Sequence, residues 1–230
     1  MSVSRVDLAE LGALPAVAPF VVRPGGAPGR LPPAATGLPS LDALLGGGFS
    51  RGRISEVVGP RGSGRTSVLL GSLARATGDG ALAALVDVTD RLDPASARAV
   101  GLELGRLLWV RCGGDLRTAI QAADAIVRGG GFDLVTVDLG ELPPWRLQRI
   151  PAAAFVRLQR AVEGTPTALV LAGSRRVAGS MAATAVTLSR TRPRWHRGGP
   201  GLLGVLATEA RLVRSRERAP GASVALVWKA

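Results

Sequence analysis

The sequence predicts an α/β fold, a mainly parallel sheet sandwiched by helices with antiparallel strands at its C-terminal edge. Apolar runs of strand length alternate with runs of helix length between residues 36 and 172, a pattern typical of a parallel sheet. A glycine-rich turn joins one of these strands to a helix near residue 60. After Gly173 strand-like runs follow one another without a helix, which predicts an antiparallel extension.

The chain divides into an N-terminal arm, residues 1–35, and a core domain, residues 36–230. The arm contains a short amphipathic piece and then becomes rich in proline and glycine, which favours an extended linker over a packed element. Its prolines are Pro15, Pro19, Pro24, Pro28, Pro32 and Pro33.

The core elements follow in order from apolar runs and their caps. Helix 40–45 ends at Gly46, and Asp93 and Asp115 are N-caps of helices that begin with Pro94 and Leu116. The other predicted helices lie at 67–78, 94–104, 116–128 and 152–163. The predicted strands lie at 54–58, 82–88, 107–112, 133–139, 168–172, 183–190, 204–214 and 223–228.

The turn at residues 59–66 has the spacing and the strand–turn–helix context of a phosphate-binding loop. Glycines let successive N–H groups point into one concavity, and the start of the following helix adds positive potential. The predicted binding residues are Gly59, Pro60, Arg61, Gly62, Ser63, Gly64, Arg65 and Thr66.

Two side chains complete this prediction and one complicates it. Thr66 and Asp138, the latter at the end of an apolar strand, are predicted to hold Mg²⁺ if a nucleotide is bound. Arg65 stands where the loop motif has lysine, and arginine is a longer, planar group. We expect Arg65 to fill part of the phosphate space, so ATP and Mg²⁺ binding is weak or lost. The alternative is a relic loop that only joins strand to helix.

Charge and cysteine content suggest the partners and the compartment. The formal net charge is +12, and residues 166–230 contribute 11 basic and two acidic side chains to it. This basic C-terminal third suits non-specific DNA binding or an acidic protein surface, although a solvated face is an alternative. Cys112 is expected to be a buried thiol in a cytoplasmic protein without a membrane span. The predicted basic edge comprises Arg175, Arg176, Arg190, Arg192, Arg211, Arg214 and Arg216.

The segment from Thr36 to Asp138 resembles the core of the RecA recombinase family. The resemblance is carried by the runs 36–42, 46–48, 52–60, 86–87, 92–98 and 132–138. It implies a RecA-like nucleotide-binding core with ATP and Mg²⁺ as ligands. The run 210–216 is similar to the recombinase strand whose basic residues reach toward a neighbouring subunit's nucleotide.

Several positions depart from the family pattern. The catalytic glutamate would fall at Thr89, the γ-phosphate sensor glutamine near Ser174, and the loop lysine at Arg65. The two DNA-gripping loops would correspond to about 140–150 and 174–181, both shorter than in recombinases, and the arm does not resemble the polymerisation helix. A side chain without a carboxylate cannot act as the base, so we expect no enzyme activity beyond weak ATP hydrolysis.

The pattern of loss resembles the ImuA family, accessory proteins of damage-induced mutagenesis. The resemblance implies a role in the SOS response and translesion synthesis, without recombinase activity, through RecA and the ImuB pseudo-polymerase with its error-prone polymerase. Two alternatives stay open. One is a working DNA-dependent ATPase of the RecA or KaiC-like class in which Arg65 and Asp90 have taken over. The other is a small-molecule kinase, which the missing arginine-bearing lid disfavours.

Overall fold

A computed structural model describes residues 31–190, 194–195 and 203–229 of the chain. These residues build one nine-stranded sheet. Residues 1–30 of the predicted arm lie outside the described residues. Ala34, from the end of the predicted arm, is buried and exchanges backbone hydrogen bonds with Phe49, so the chain from there onward is tied to the core.

Eight of the nine described strands occur in the positions that the apolar runs predict, and the two-residue strand Arg194–Trp195 was not predicted. They are β1 (Ile54–Val58), β2 (Ala83–Asp87), β3 (Leu107–Arg111), β4 (Leu134–Asp138), β5 (Ala168–Gly173), β6 (Ala182–Arg190), β7 (Arg194–Trp195), β8 (Leu203–Ser215) and β9 (Ser223–Lys229).

The α-helices connect successive parallel strands, except for the first, which precedes β1. Short 3₁₀ turns occupy Leu104–Arg106 and Gly179–Met181. The helices are α1 (Pro39–Leu45), α2 (Arg65–Gly78), α3 (Pro94–Ala99), α4 (Leu116–Gly129), α5 (Pro144–Leu147) and α6 (Ala152–Val162).

The sheet has a parallel part and an antiparallel part. Strand order is β3-β2-β4-β5-β1-β6-β8, with β7 and β9 both paired to β8. Strands β3, β2, β4, β5, β1 and β6 are parallel, whereas β8 and β9 are each antiparallel to their neighbour. The strand prediction was therefore wrong about β6: it lies parallel to β1, because residues 174–181 carry the chain back to the start of β1 before β6 begins.

Hydrophobic side chains cover both faces of the sheet. Neighbouring residues on one strand, such as Leu85 and Val86, belong to separate core clusters, as expected when successive side chains point to opposite faces. Helices α1 and α2 contribute to one cluster, and α4 and α6 contribute to the other. This arrangement confirms the predicted sheet between two helical layers.

Helix α3 is shorter than predicted. It begins at Pro94 with Asp93 as N-cap, as expected, but it ends at Ala99 instead of residue 104. Gly101 follows with a φ of +87°, a left-handed conformation that glycine adopts readily. The single glycine turns the chain into the 3₁₀ turn before β3.

The crossover from β5 to β6 is fixed by a buried carboxylate on β1. Glu56 is 1% exposed, and its Oε1 accepts hydrogen bonds from the N–H groups of Val177 (2.6 Å) and Ala178 (2.8 Å). Its Oε2 lies 3.0 Å from Nε of Arg176. Each carboxylate oxygen thus has a donor, which satisfies a charge that would otherwise be costly to bury.

Two further properties concern the whole described chain. Cys112 is a buried free cysteine, and burial together with the nearby Asp90, Asp87 and Asp115 raises the pKa of its thiol to about 11. None of the described helices combines the length and apolar character needed to cross a bilayer.

Candidate phosphate-binding site

The phosphate loop connects β1 to α2 at the carboxyl edge of the parallel strands. Gly62 and Gly64 have positive φ values of +73° and +90°, conformations that favour glycine. The N–H groups of Gly64, Arg65 and Thr66 donate no hydrogen bond to another described residue. Unpaired donors at the start of a helix form the backbone cradle that an anion requires.

The C-terminal strands β8 and β9 pack against this loop. The Thr208 hydroxyl on β8 donates to the Ser63 carbonyl at 2.9 Å. A Cβ added to Gly59 would lie 2.6 Å from the Leu188 carbonyl, and one added to Gly64 would lie 2.6 Å from the Trp228 ring. Glycine is therefore required at both positions by close packing.

A cavity of about 260 Å³ opens in front of the loop. It lies between α2 and the carboxyl ends of β2 and β4, and it brings together most of the predicted site. Ser63 is instead buried within the loop, and Gly59, Pro60 and Gly64 are not among the lining residues. The polar and charged lining residues are Arg61, Arg65, Thr66, Asp87, Arg91, Asp138 and Glu141.

Arg65 points across the cavity to the loop that follows β4. Its guanidinium forms an ion pair with Glu141 and lies 3.5 Å from the Gly140 carbonyl. The Arg65 side chain is 9% exposed and that of Glu141 is 32% exposed. A carboxylate partner neutralises the positive charge that a phosphate would need, so the loop has its backbone donors but not an unpaired cation from Arg65.

Two aspartates face each other at the ends of β2 and β4. Asp87 and Asp138 are register partners, and both line the cavity. Asp87 Oδ2 accepts from the N–H groups of Arg91 and Leu92 at 2.8 and 2.9 Å, while its buried Oδ1 has no partner among the described residues.

The pKa of Asp138 is shifted upward. Burial raises it most, and the Asp87 carboxylate also raises it, whereas the Gly140 N–H and Arg65 partly offset these effects. A carboxylate that is destabilised in this way would be stabilised by a cation. With the Thr66 hydroxyl, which is exposed on the same cavity, Asp138 fits the predicted magnesium position.

The two positions at which the resemblance places the catalytic base and the γ-phosphate sensor hold Thr89 and Ser174, neither of which carries a carboxylate or an amide. Thr89 packs against Gly140, where an added Cβ would lie 2.4 Å from the Thr89 Oγ1 and 2.9 Å from its Cγ2. Asp90, the neighbouring carboxylate, has a φ of +55° and pairs with Arg111 at 3.3 Å. The Ser174 hydroxyl is buried without a partner among the described residues.

A family model of the RecA N-terminal domain matches residues 30–143. The chain is 43% identical over 104 residues to Protein RecA of Salinispora tropica, a match covering 45% of this chain and 30% of that protein. It is 39% identical over 99 residues to Protein RecA of Borrelia hermsii, covering 43% of this chain and 28% of that protein. The chain belongs to the RecA recombinase superfamily.

A solved structure supports the same fold for nearly the whole RecA-like chain. The crystal structure of the RadB recombinase superposes with a TM-score of 0.63 at 22% identity, covering 84% of this chain and 94% of that one. At this identity the likeness concerns the fold. The matches to the Protein RecA sequences span less than a third of those proteins.

The residues of the site fit a RecA-type ligand only in part. The backbone cradle and the Thr66–Asp138 pair fit a phosphate with Mg²⁺, which is usually bound through a few carboxylates and the phosphates themselves. The Arg65–Glu141 pair does not fit such a ligand, because the Arg65 guanidinium is already paired with a carboxylate and cannot meet a phosphate with its full charge.

Some arginines of the basic C-terminal third form hydrogen bonds within the protein. Arg214 donates to the Ala182 carbonyl at 2.7 Å, and both Arg214 and Arg216 approach the Ser180 carbonyl. Ala182 pairs with Ile54, the first residue of β1, so this turn lies at the sheet edge opposite the phosphate loop. Arg175 and Arg211 are exposed, while the side chains of Arg190 and Arg192 lie outside the described residues.

Sequence reasoning missed two contributors to the site. Glu141 carries a usable signal, because it is an acidic residue three positions after the predicted Asp138 and opposite in charge to Arg65. Trp228 carries none, since only the tertiary packing of β9 brings its ring to Gly64.

Proposed function

We propose that this RecA-like chain is an accessory or regulatory protein of damage-induced mutagenesis, with no recombinase activity. In this role it takes part in DNA repair within the SOS response and translesion synthesis, through contacts with RecA, with the ImuB–polymerase complex, or with both. Its nucleotide site is a remnant in which ATP and Mg²⁺ bind weakly. It works in the cytoplasm, where these partners act.

The observation that carries the proposal is the Arg65–Glu141 ion pair. It takes up the charge that should meet the phosphates, and it occurs together with Thr89 at the position of the catalytic base. Loss of the base alone costs about 10²–10⁴-fold in rate. Joint loss of the base and of the unpaired cation favours a protein that uses the RecA fold for binding.

The ATPase alternative needs Asp90 to act as the base. Asp90 pairs with Arg111 on β3, and the cavity lining includes Asp87, Asp138 and Glu141 as its carboxylates. This arrangement gives the alternative little support. The kinase alternative is weaker still, because the chain continues after β5 into strands that buttress the loop.

The basic C-terminal third supplies the contact surface in this proposal. Arg175 and Arg211 are exposed and have no ion pair with another described residue. Contacts from such residues to DNA would be mainly to phosphates, so DNA binding would be non-specific and strongly salt-dependent.

Pull-down of purified RecA and ImuB by the full chain tests the proposal. We expect one or both to bind, and we expect the double change Arg175→Glu and Arg211→Glu to weaken that binding. Arg98→Glu on α3, another exposed arginine, is the matched control. Failure to bind either protein, together with formation of cooperative filaments on single-stranded DNA, would contradict the accessory role.

A further inference from the structure

A groove of about 740 Å³ lies between α4, α5 and α6 and shares no lining residue with the cavity at the phosphate loop. Its floor is aliphatic, with Leu116 and Ile120 one helical turn apart on α4 and with Ile150 and Ala154 opposite them. Trp145 on α5 stands at its side and is 55% exposed, the largest apolar side chain among the exposed ones described. The groove therefore offers apolar surface that the described part of the chain leaves uncovered.

The rim of this groove is strongly basic. Four arginines and one aspartate line it. The aspartate, Asp115, is already used as the N-cap of α4, where it accepts hydrogen bonds from the Arg117 N–H and the Thr118 hydroxyl. The lining arginines are Arg117, Arg146, Arg149 and Arg157.

These arginines differ in how far internal contacts occupy them. Arg146 donates to the Gly114 carbonyl at 2.7 Å, and Arg157 lies 3.5 Å from Asp124. Arg149 lies over the Trp145 ring at 5.1 Å, and neither Arg149 nor Arg117 forms an ion pair with another described residue. At least two guanidinium groups are thus left for an external carboxylate.

The combination of an aliphatic floor and a basic rim favours a protein segment over a nucleic acid. Single-stranded nucleic acids are usually held by successive aromatic platforms along a basic track, whereas Trp145 is the one aromatic residue lining this groove. One face of its ring is already covered by Arg149. An aliphatic floor instead matches leucine-like or aromatic side chains of a peptide, and arginine clusters recognise acidic motifs.

We propose that this groove, lined by α4, α5 and α6, binds an acidic segment of a partner protein that carries a large apolar side chain. The apolar side chain packs on Ile120 and Ile150 beside Trp145, and flanking carboxylates pair with Arg117 and Arg149. This site lies outside the phosphate loop and the basic C-terminal third, so it stands whether or not the proposed role in mutagenesis is correct.

The test uses the full chain and a displayed library of random peptides about a dozen residues long. Selected peptides are synthesised with a fluorescent label, and their binding is measured by fluorescence anisotropy. We expect enriched peptides to combine aspartate or glutamate with leucine or an aromatic residue. We expect their affinity to fall about tenfold or more in Trp145→Ala and in Arg149→Glu, and to stay within about twofold in Arg98→Glu.

The variants are checked by thermal unfolding, and Trp145 is exposed enough for its loss to leave the fold intact. A second arm measures binding of a single-stranded oligothymidylate to the same proteins. If no selected peptide depends on Trp145 and Arg149, the proposal is wrong. Oligothymidylate binding that requires Trp145, without any such peptide, would also overturn it and assign the groove to nucleic acid.

Discussion

Two carboxylate sites on the same sheet differ in how completely their oxygens are hydrogen-bonded. Glu56, in the middle of the first strand, has a donor for each oxygen and fixes the crossover into β6. At the carboxyl edge, Asp87 keeps a buried oxygen without a partner among the described residues, and the pKa of Asp138 is raised. Satisfied charges stabilise a fold, whereas incompletely satisfied ones mark a place where a ligand binds or once bound.

The largest expected effect on stability comes from removing the Glu56 carboxylate. Glu56→Ala leaves Arg176 without its carboxylate and the N–H groups of Val177 and Ala178 without an acceptor, so we expect a loss of about 3 kcal/mol of unfolding free energy. For a chain of this size, the melting temperature should fall by roughly 6–12 °C. Thermal and denaturant unfolding measure the change.

The matched control for Glu56 is Glu163, which forms an exposed ion pair with Arg53. Glu163→Ala should cost less than about 1 kcal/mol, as surface ion pairs generally do. Equal losses from the two changes would show that the Glu56 contacts do not fix the crossover.

The next effect concerns Arg65 and the affinity for nucleotide. Glu141→Gln removes the charge that neutralises Arg65, so we expect the affinity for ATP with Mg²⁺ to rise about tenfold, equivalent to about 1.4 kcal/mol. Titration calorimetry measures it, and Glu163→Gln should leave the affinity unchanged. An unchanged or weaker affinity in Glu141→Gln would mean that the ion pair does not limit nucleotide binding.

The smallest effect concerns Asp138 and has a sign fixed by its pKa. Because the folded pKa lies above the ordinary value of 3.8, the folded state binds the proton more readily, and stability is lost as the pH rises through the interval between the two values. Asp138→Asn should therefore stabilise the chain at pH 7, by about 0.5–2 kcal/mol. The gain should shrink as the pH falls toward 3.8.

Asp115→Asn provides the opposite sign. Hydrogen bonds from Thr118 and Arg117 lower the pKa of Asp115, so its ionised form contributes stability above its ordinary pKa and that stability is lost in acid. Unfolding curves at several pH values should show Asp138→Asn as stabilising and Asp115→Asn as destabilising at neutral pH. A loss of stability in Asp138→Asn at pH 7 would contradict the account of this edge.

The sequence predicted what depends on local pattern. Continuous apolar runs located the buried parallel strands, and the glycine spacing located the phosphate loop with Asp138 on the expected strand end. The predicted direction of β6 was wrong, because its apolar sequence does not tell whether the connection before it carries the chain back to the other edge of the sheet. The reach of Arg65 to Glu141 and the packing of Trp228 on Gly64 depend on how distant segments meet, so no local pattern could show them.

ATP turnover distinguishes a loop that keeps only its backbone donors from one that still has working catalytic groups. Phosphate release is measured for the full chain with ATP, Mg²⁺ and single-stranded DNA, beside Asp138→Ala as the background. We expect no release above that background, because Thr89 has no carboxylate to activate water and Arg65 is paired with Glu141. DNA-stimulated release that Asp138→Ala abolishes would contradict it.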